Sequence, residues 1–274
     1  MNLLLPQRRR SGRAGIRPAR AGALRIALSA ATLLLVALTG SATAVAQDEE
    51  PVEPVVLVGT IKGGQALLNP VWNEAKDPKS RRYTFRVPST TVSPQAKILT
   101  AYLPKELCIV ALGDGPAQAK KSPIPMTISG GRTTPVTLVV PQGQEIQIEN
   151  HDPFPHRLYE VGKGETSLKA SDIEPTKSRR WTPPKPGKYE LRDELAPSLR
   201  AWVVVEPKAH QRAFVNFKQE FNMELLPGAY TLRGYFAGEA VGKPLPANVN
   251  PLPKQQRLPA PLVVGEVKKK KDKK

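Results

Sequence analysis

Residues 149–159 read ENHDPFPHRLY, and residues 188–205 read KYELRDELAPSLRAWVVV. The first stretch is the end of a strand, EIQIEN (145–150), running into a short loop that closes on His156. Asp152-Pro153 and Phe154-Pro155 stiffen that loop, because each proline ring fixes its own φ. The second stretch opens as a strand with Tyr189, Leu191 and Asp193 on one face. It breaks over residues 194–199 and resumes in the apolar run AWVVV.

Together these stretches resemble the two ligand-bearing segments of the cupredoxins, the plastocyanin and azurin type of copper protein. In that family the first segment carries an Asn at a strand end and then a His, matched here by Asn150 and His156. The second carries Cys, His and Met, and those places are held here by Asp193, Ala196 and Leu199. The resemblance covers roughly residues 122–206. It implies a cupredoxin-like Greek-key sandwich and the place of a copper site, while the residues imply that its ligands are largely lost. The rest of the chain resembles exported proteins, some of the methylamine-utilisation type, that set such a domain beside a carboxypeptidase-regulatory-like β-sandwich. Gly59-Thr60-Ile61, the run around Cys108, and Leu226-Pro227-Gly228-Ala229-Tyr230-Thr231-Leu232 carry that second likeness.

Chemistry points the same way. A blue-copper centre needs two imidazoles and a thiolate around a weak axial thioether. The only thiol, Cys108, lies in a different predicted strand, LCIVAL, and reads as a buried apolar residue. The three histidines are His151, His156 and His210, and no Cys/His spacing suits zinc. No copper and no other cofactor is expected. His156 and Asp193 are then a vestigial site, and three readings are open. Asp193 or Glu194 approaches the His156 imidazole in place of a metal. Alternatively both acids are simply exposed at a loop end. The weakest reading is a hard-metal or zinc site built from His151, His156 and Asp193. Asn150 is expected to tie the two loops through its amide, and His151 to be a solvated turn residue. Trp181 and Trp202 read as core, with a sugar-stacking platform as the sharper alternative.

The whole chain predicts an all-β protein, a cupredoxin-like Greek-key sandwich plus a second small β-sandwich with disordered termini. The 29 prolines argue against long helices. Strands are predicted at 55–61, 81–87, 98–103, 107–112, 136–140 and in the PMTIS run. Residues 55–121 supply the first part of the second sandwich, 122–206 the cupredoxin-like domain, and 207–245 the remaining part. In that last piece Phe217, Gln219, Phe221, Met223 and Leu225 are expected to alternate inward. PGAYTL (227–232) echoes PGKYEL (186–191) as a shared Pro-Gly turn device. Residues 246–274 read as a Pro/Lys-rich extended tail with one possible last strand at LVVGEV.

Residues 1–46 read as an export signal: seven Arg and no acid, then an uncharged run ending in Ala44-Val45-Ala46. An acidic linker, 47–54, follows. Cleavage leaves no membrane-spanning segment; an uncleaved anchor is the alternative. The chain is placed in the periplasm or at the outer membrane. Of the net charge of +17, seven units lie in that leader, and six Lys against one Asp occupy residues 268–274. Lys268, Lys269, Lys270, Lys271, Lys273 and Lys274 are the expected contact with an anionic envelope surface, or with another envelope protein. Nucleic acid is not expected, since no aromatics interleave with these lysines to stack on bases. With no nucleophile motif and no phosphate loop, no catalytic residue is assigned and an enzyme is not expected. The reading is a non-catalytic exported binding or scaffold module. Its alternatives are metal handling or electron transfer at a nonstandard His156 site, and cell-wall or carbohydrate binding.

Overall fold

The computed structural model describes residues 52–70, 101–162 and 164–266. The leader, the strand expected at 81–87, residues 98–100 and the lysine tail lie outside the described residues. Among the described residues, sixteen strands run in chain order through β1 (Val55–Lys62), β2 (Leu107–Leu112), β3 (Ile124–Ser129), β4 (Arg132–Thr134), β5 (Thr137–Val140), β6 (Ile146–Asn150), β7 (Leu158–Glu160) and β8 (Ser178–Trp181). They continue with β9 (Gly187–Asp193), β10 (Arg200–Val205), β11 (Ala209–Phe214), β12 (Glu220–Leu225), β13 (Gly228–Phe236), β14 (Glu239–Val249), β15 (Gln255–Arg257) and β16 (Leu262–Val263). One four-residue helix, α1 (Leu103–Glu106), precedes β2. It stands where the sequence predicts the end of a strand, because Pro104 at its start suits a helical first turn.

The described chain is all-β and forms two sandwiches. In the first, the sheet β4-β3-β6-β8 faces the sheet β5-β10-β9-β7. Strands β3 and β6 are parallel, as are β5 and β10, so the connections cross between sheets in Greek-key fashion. Its core holds Met126, Ile128, Leu138, Ile146, Ile148, Leu191 and Val203. In the second, the sheet β11-β2-β13-β14 faces a sheet built on β1, which pairs with β12, β15 and β16. That core holds Leu57, Leu107, Ile109, Phe221, Met223, Leu225 and Leu232. The first sandwich is therefore inserted into the second, between β2 and β11.

Three strands are apolar on both faces, and the packing says why. In β2, Leu107, Ile109 and Ala111 face the second core, while Cys108 and Val110 enter a small third cluster. In β5 and β10, Leu138, Val140, Val203 and Val205 face the first core, while Val139 and Val204 enter the same cluster. The runs LCIVAL, TLVV and AWVVV are continuous because their sheets are covered on both sides. Two bonds bridge the sandwiches nearby: the Val136 amide donates to the Lys105 carbonyl at 2.8 Å, and the Ala237 amide to Thr137 Oγ1 at 3.0 Å.

Two expectations for the last third are corrected. The segment from residue 246 is more than an extended tail: β14 runs on to Val249, β15 pairs with β1, and the strand expected in LVVGEV is present as β16, with Leu262 and Val264 buried in the second core. Prolines hide this pattern, yet here they sit in strands that border the sandwich or between them. Gly242 and Gly265 allow the return, since a Cβ on Gly242 would lie 1.8 Å from the Val263 carbonyl oxygen. Nor does Phe217 point inward: it is 81% exposed. Asn216 caps a turn there, its Oδ1 accepting from the Lys218 and Glu220 amides, and Gln219 takes a positive φ of 63°. The inward alternation starts after that turn, at Phe221.

Both Pro-Gly turns launch a strand and carry one further bond in common. Tyr189 donates its hydroxyl to the Lys185 carbonyl at 2.7 Å, and Tyr230 does the same to Leu226 at 3.0 Å. Among the described residues no helix is long and apolar enough to cross a membrane.

Candidate functional site

His156 closes the loop that leaves β6, and it is completely buried. Its backbone makes a two-way bridge with Ile173, at 3.1 and 2.7 Å, which fixes the ring's depth. Asn150 organises the same loop. Its amide nitrogen donates to the carbonyls of Phe154 at 2.9 Å and Ile173 at 2.7 Å, and its Oδ1 accepts from the Asp152 amide at 2.9 Å. Asn150 thus ties its own loop to the segment at residue 173. The expected tie to the 193–199 loop is absent from its bonds, because two nearer carbonyls take its donors.

Asp193, at the end of β9, faces inward with Leu191, as the period-2 pattern predicts. Its Oδ2 lies 2.6 Å from His156 Nδ1. The second neighbour was not foreseen. Asp152 Oδ2 lies 3.0 Å from His156 Nε2, so the ring is held between two carboxylates. Glu194 does not take part; it pairs at the surface with Arg157, at 3.4 Å. His151 stays exposed and pairs with Glu149 at 3.3 Å.

Each carboxylate is surrounded by donors. Asp152 accepts the Gly130 amide on Oδ1 at 2.6 Å and the Gly131 amide on Oδ2 at 2.8 Å. Gly130 and Gly131 form the tight turn between β3 and β4 with φ of 61° and 66°, a left-handed pair that glycine adopts without strain. That turn aims both amides at Asp152. Asp193 accepts the Leu195 and Ala196 amides on Oδ1, at 2.7 and 2.9 Å, and the Arg157 amide on Oδ2 at 3.3 Å. All four carboxylate oxygens thus face N–H donors. Both ring nitrogens thus face a carboxylate oxygen, and an ionised carboxylate can only accept from them. Burial pushes the Asp152 carboxyl up, but the two glycine amides and His156 outweigh it and hold the group below its ordinary value.

The positions that the resemblance aligns with copper ligands are packed or hydrogen-bonded within the fold. Asp193 is the clamp, Ala196 supplies an amide to it, and Leu199 is buried in the first core. A type 1 copper ion does not fit this donor set: both His156 nitrogens are engaged, neither loop carries a thiolate, and the other imidazole of the loop, His151, is exposed and paired with Glu149. Cys108 lies in the cluster between the sandwiches, where burial pushes its thiol up to about 12. Among the described residues, no group of three or more His, Cys, Asp or Glu side chains is arranged to hold a metal ion. Trp181 and Trp202 are 6% and 5% exposed, which leaves no flat ring face for a sugar. Trp181 also donates its indole N–H to Ser167 Oγ at 3.1 Å.

No family model matches the chain, and no curated protein does so. Among solved structures, the chain is similar to a reduced variant of amicyanin, with 22% identity and a TM-score of 0.30 over 36% of this chain and 98% of amicyanin. A second amicyanin variant gives 23% identity at the same TM-score and coverage. A copper-containing nitrite reductase from Thermus scotoductus SA-01 gives 18% identity and a TM-score of 0.30, over 33% of this chain and 25% of the reductase.

Proposed function

We propose that this protein is a non-catalytic, exported binding or scaffold module, in which a cupredoxin-type loop pair has been converted from a metal site into a carboxylate–imidazole clamp. One observation carries the reading: both nitrogens of the fully buried His156 are taken, at 2.6 and 3.0 Å, by Asp193 and Asp152. A ring so placed has no lone pair to give a metal without breaking a buried charge-assisted bond. It also cannot serve as a general base, because no solvent-facing nitrogen remains. The flanking sandwich is read as the carboxypeptidase-regulatory-like kind, and the lysine run 268–274 as the electrostatic contact with an anionic envelope surface.

The clamp has a physical use. It joins the loop after β6, the turn between β3 and β4, and the loop after β9 at one end of the first sandwich. In the cupredoxin pattern a metal would make such a join; here one imidazolium and two carboxylates make it. Calorimetric titration of the purified chain with copper(II), followed by visible absorbance, tests the reading. Weak, non-stoichiometric heat and no blue colour, alike in wild type and His156→Ala, support it. Tight one-to-one binding that His156→Ala abolishes would establish the metal-handling alternative instead.

A further inference from the structure

A second site lies between the two sandwiches, far along the chain from the His156 loops. Here β11 of one sandwich passes the turn between β5 and β6 of the other, and residues 118–120 cross above them. A cavity of about 10 Å³ opens there, lined by Arg212, Lys120, His210, Gln118, Gln144 and Gln211 among others, with no Asp or Glu in its wall. That volume admits about one oxygen atom. Gln118, Lys120 and His210 form an exposed rim, while Gln144, Val139 and Ala209 are buried at the floor.

The site is built. Gln144 is fully buried and grips the rim segment: its Oε1 accepts the Lys120 amide at 2.8 Å, and its Nε2 donates to the carbonyls of Lys120 and Ser122 at 3.4 and 3.1 Å. His210 is set by its Nε2 bond to the Gly115 carbonyl at 3.1 Å and by close approach to Gly113, where a Cβ would lie 2.5 Å from the ring.

Arg212 is the informative member. Its guanidinium is half-buried, and burial pulls its proton affinity down. Among the described residues it makes no ion pair with a carboxylate, and the neighbouring Cys108 thiol, pushed up by burial to about 12, is neutral at physiological pH. A desolvated cation without a counter-charge is costly, and folds keep such groups paired. Here the missing counter-charge has a place to sit, beside Gln118 and Lys120, whose backbone is held by Gln144.

We propose that this junctional pocket binds an oxyanion of the phosphate or sulfate class, one oxygen entering the cavity against Arg212 while the remainder meets Lys120 and His210 at the rim. The ligand chemistry is a tetrahedral oxyanion, either free or carried by a lipid headgroup. The inference gives the binding module a ligand class, and it does not depend on the fate of the His156 clamp.

The test is titration of the full-length chain with inorganic phosphate at constant ionic strength, followed by amide shifts in ¹H–¹⁵N NMR spectra. Saturable shifts confined to residues 118–120 and 209–212 are expected. Arg212→Gln should weaken the affinity by about 10-fold or more, as befits loss of a charge-assisted hydrogen bond. Lys120→Met changes an exposed rim residue and serves as the second variant should Arg212→Gln disturb the junction; it should weaken binding several-fold. Shifts that are non-saturable, spread over all surface lysines, or unchanged in both variants would overturn the proposal. Flotation with phosphatidylglycerol vesicles separates the two sources. Reduced flotation of Arg212→Gln assigns the site to a headgroup, and unchanged flotation with an intact phosphate response assigns it to a free oxyanion.

Discussion

Asp193 Oδ2 stands 2.6 Å from Nδ1 of His156, both side chains essentially without solvent contact, in the loop pair where the cupredoxin pattern places a thiolate and an imidazole on copper. The carboxylate joins the two loops through a buried charge-assisted bond. Breaking a buried pair by removing one partner costs about 3–5 kcal/mol, since the other charge is left uncompensated. Asp193→Ala should therefore destabilise the chain by that amount in urea unfolding. Asp193→Asn should cost less, about 1–3 kcal/mol. Its carbonyl can still face Nδ1–H, but its amide cannot accept the Leu195 and Ala196 amides. A loss below 1 kcal/mol in Asp193→Ala would show that the pair is not the join.

Two buried acids give opposite pH dependences. Asp152 is held below the ordinary carboxylate value, so its contribution is present above that ordinary value and is lost as pH falls through the lowered folded value. Glu106 at the end of α1 is raised, first by burial, against smaller opposing effects of the Tyr102 backbone, Asn69 and Arg132. A raised acid contributes below its ordinary value and loses that contribution as pH rises through the folded value. Glu106→Gln should thus stabilise the protein at neutral pH and lose its advantage in acid. Asp152→Asn should destabilise it at neutral pH and approach wild type in strong acid. Unfolding curves of both variants between pH 2 and 8 check the signs.

Much of this site is legible in the chain. Period 2 in KYELRD puts Asp193 on the inward face, and the loop from Asn150 to His156 delivers the ring. Asp152 is not legible, although it lies four residues before His156. Its role depends on two amides about 20 residues upstream, aimed by the left-handed Gly130-Gly131 turn. A non-local donor pair leaves no mark near Asp152 itself. The fold shows the same division. Runs with both faces buried, such as LCIVAL, are read directly. Strands β14 and β15 are hidden by prolines, whereas β16 is read in LVVGEV, and Phe217 is misread because the Asn216 turn resets the register.

Cys108 offers a check on the inter-sandwich cluster. With its thiol buried and pushed up to about 12, thiolate is scarce at pH 8 and reagent access is closed. A disulfide reagent such as dithionitrobenzoate should leave native protein unlabelled for hours and label it within minutes in denaturant. Rapid stoichiometric labelling of the native protein would mean that the two sandwiches separate.

The lysine run at 268–274 is expected to act through charge alone. Removal of those residues should abolish most flotation with anionic vesicles at low salt, and 0.5 M salt should do the same to the full chain, where the screening length falls to about 4 Å. Binding that withstands high salt would require apolar contacts instead.

The proposal that this loop pair is a carboxylate–imidazole clamp is tested most directly at the ring of His156. In ¹⁵N-labelled protein, its Nδ1 and Nε2 should both be protonated, with two slowly exchanging ring N–H signals that one equivalent of zinc(II) leaves in place. A single bare ring nitrogen, or a His156 spectrum that shifts stoichiometrically when the metal is added, would contradict the account.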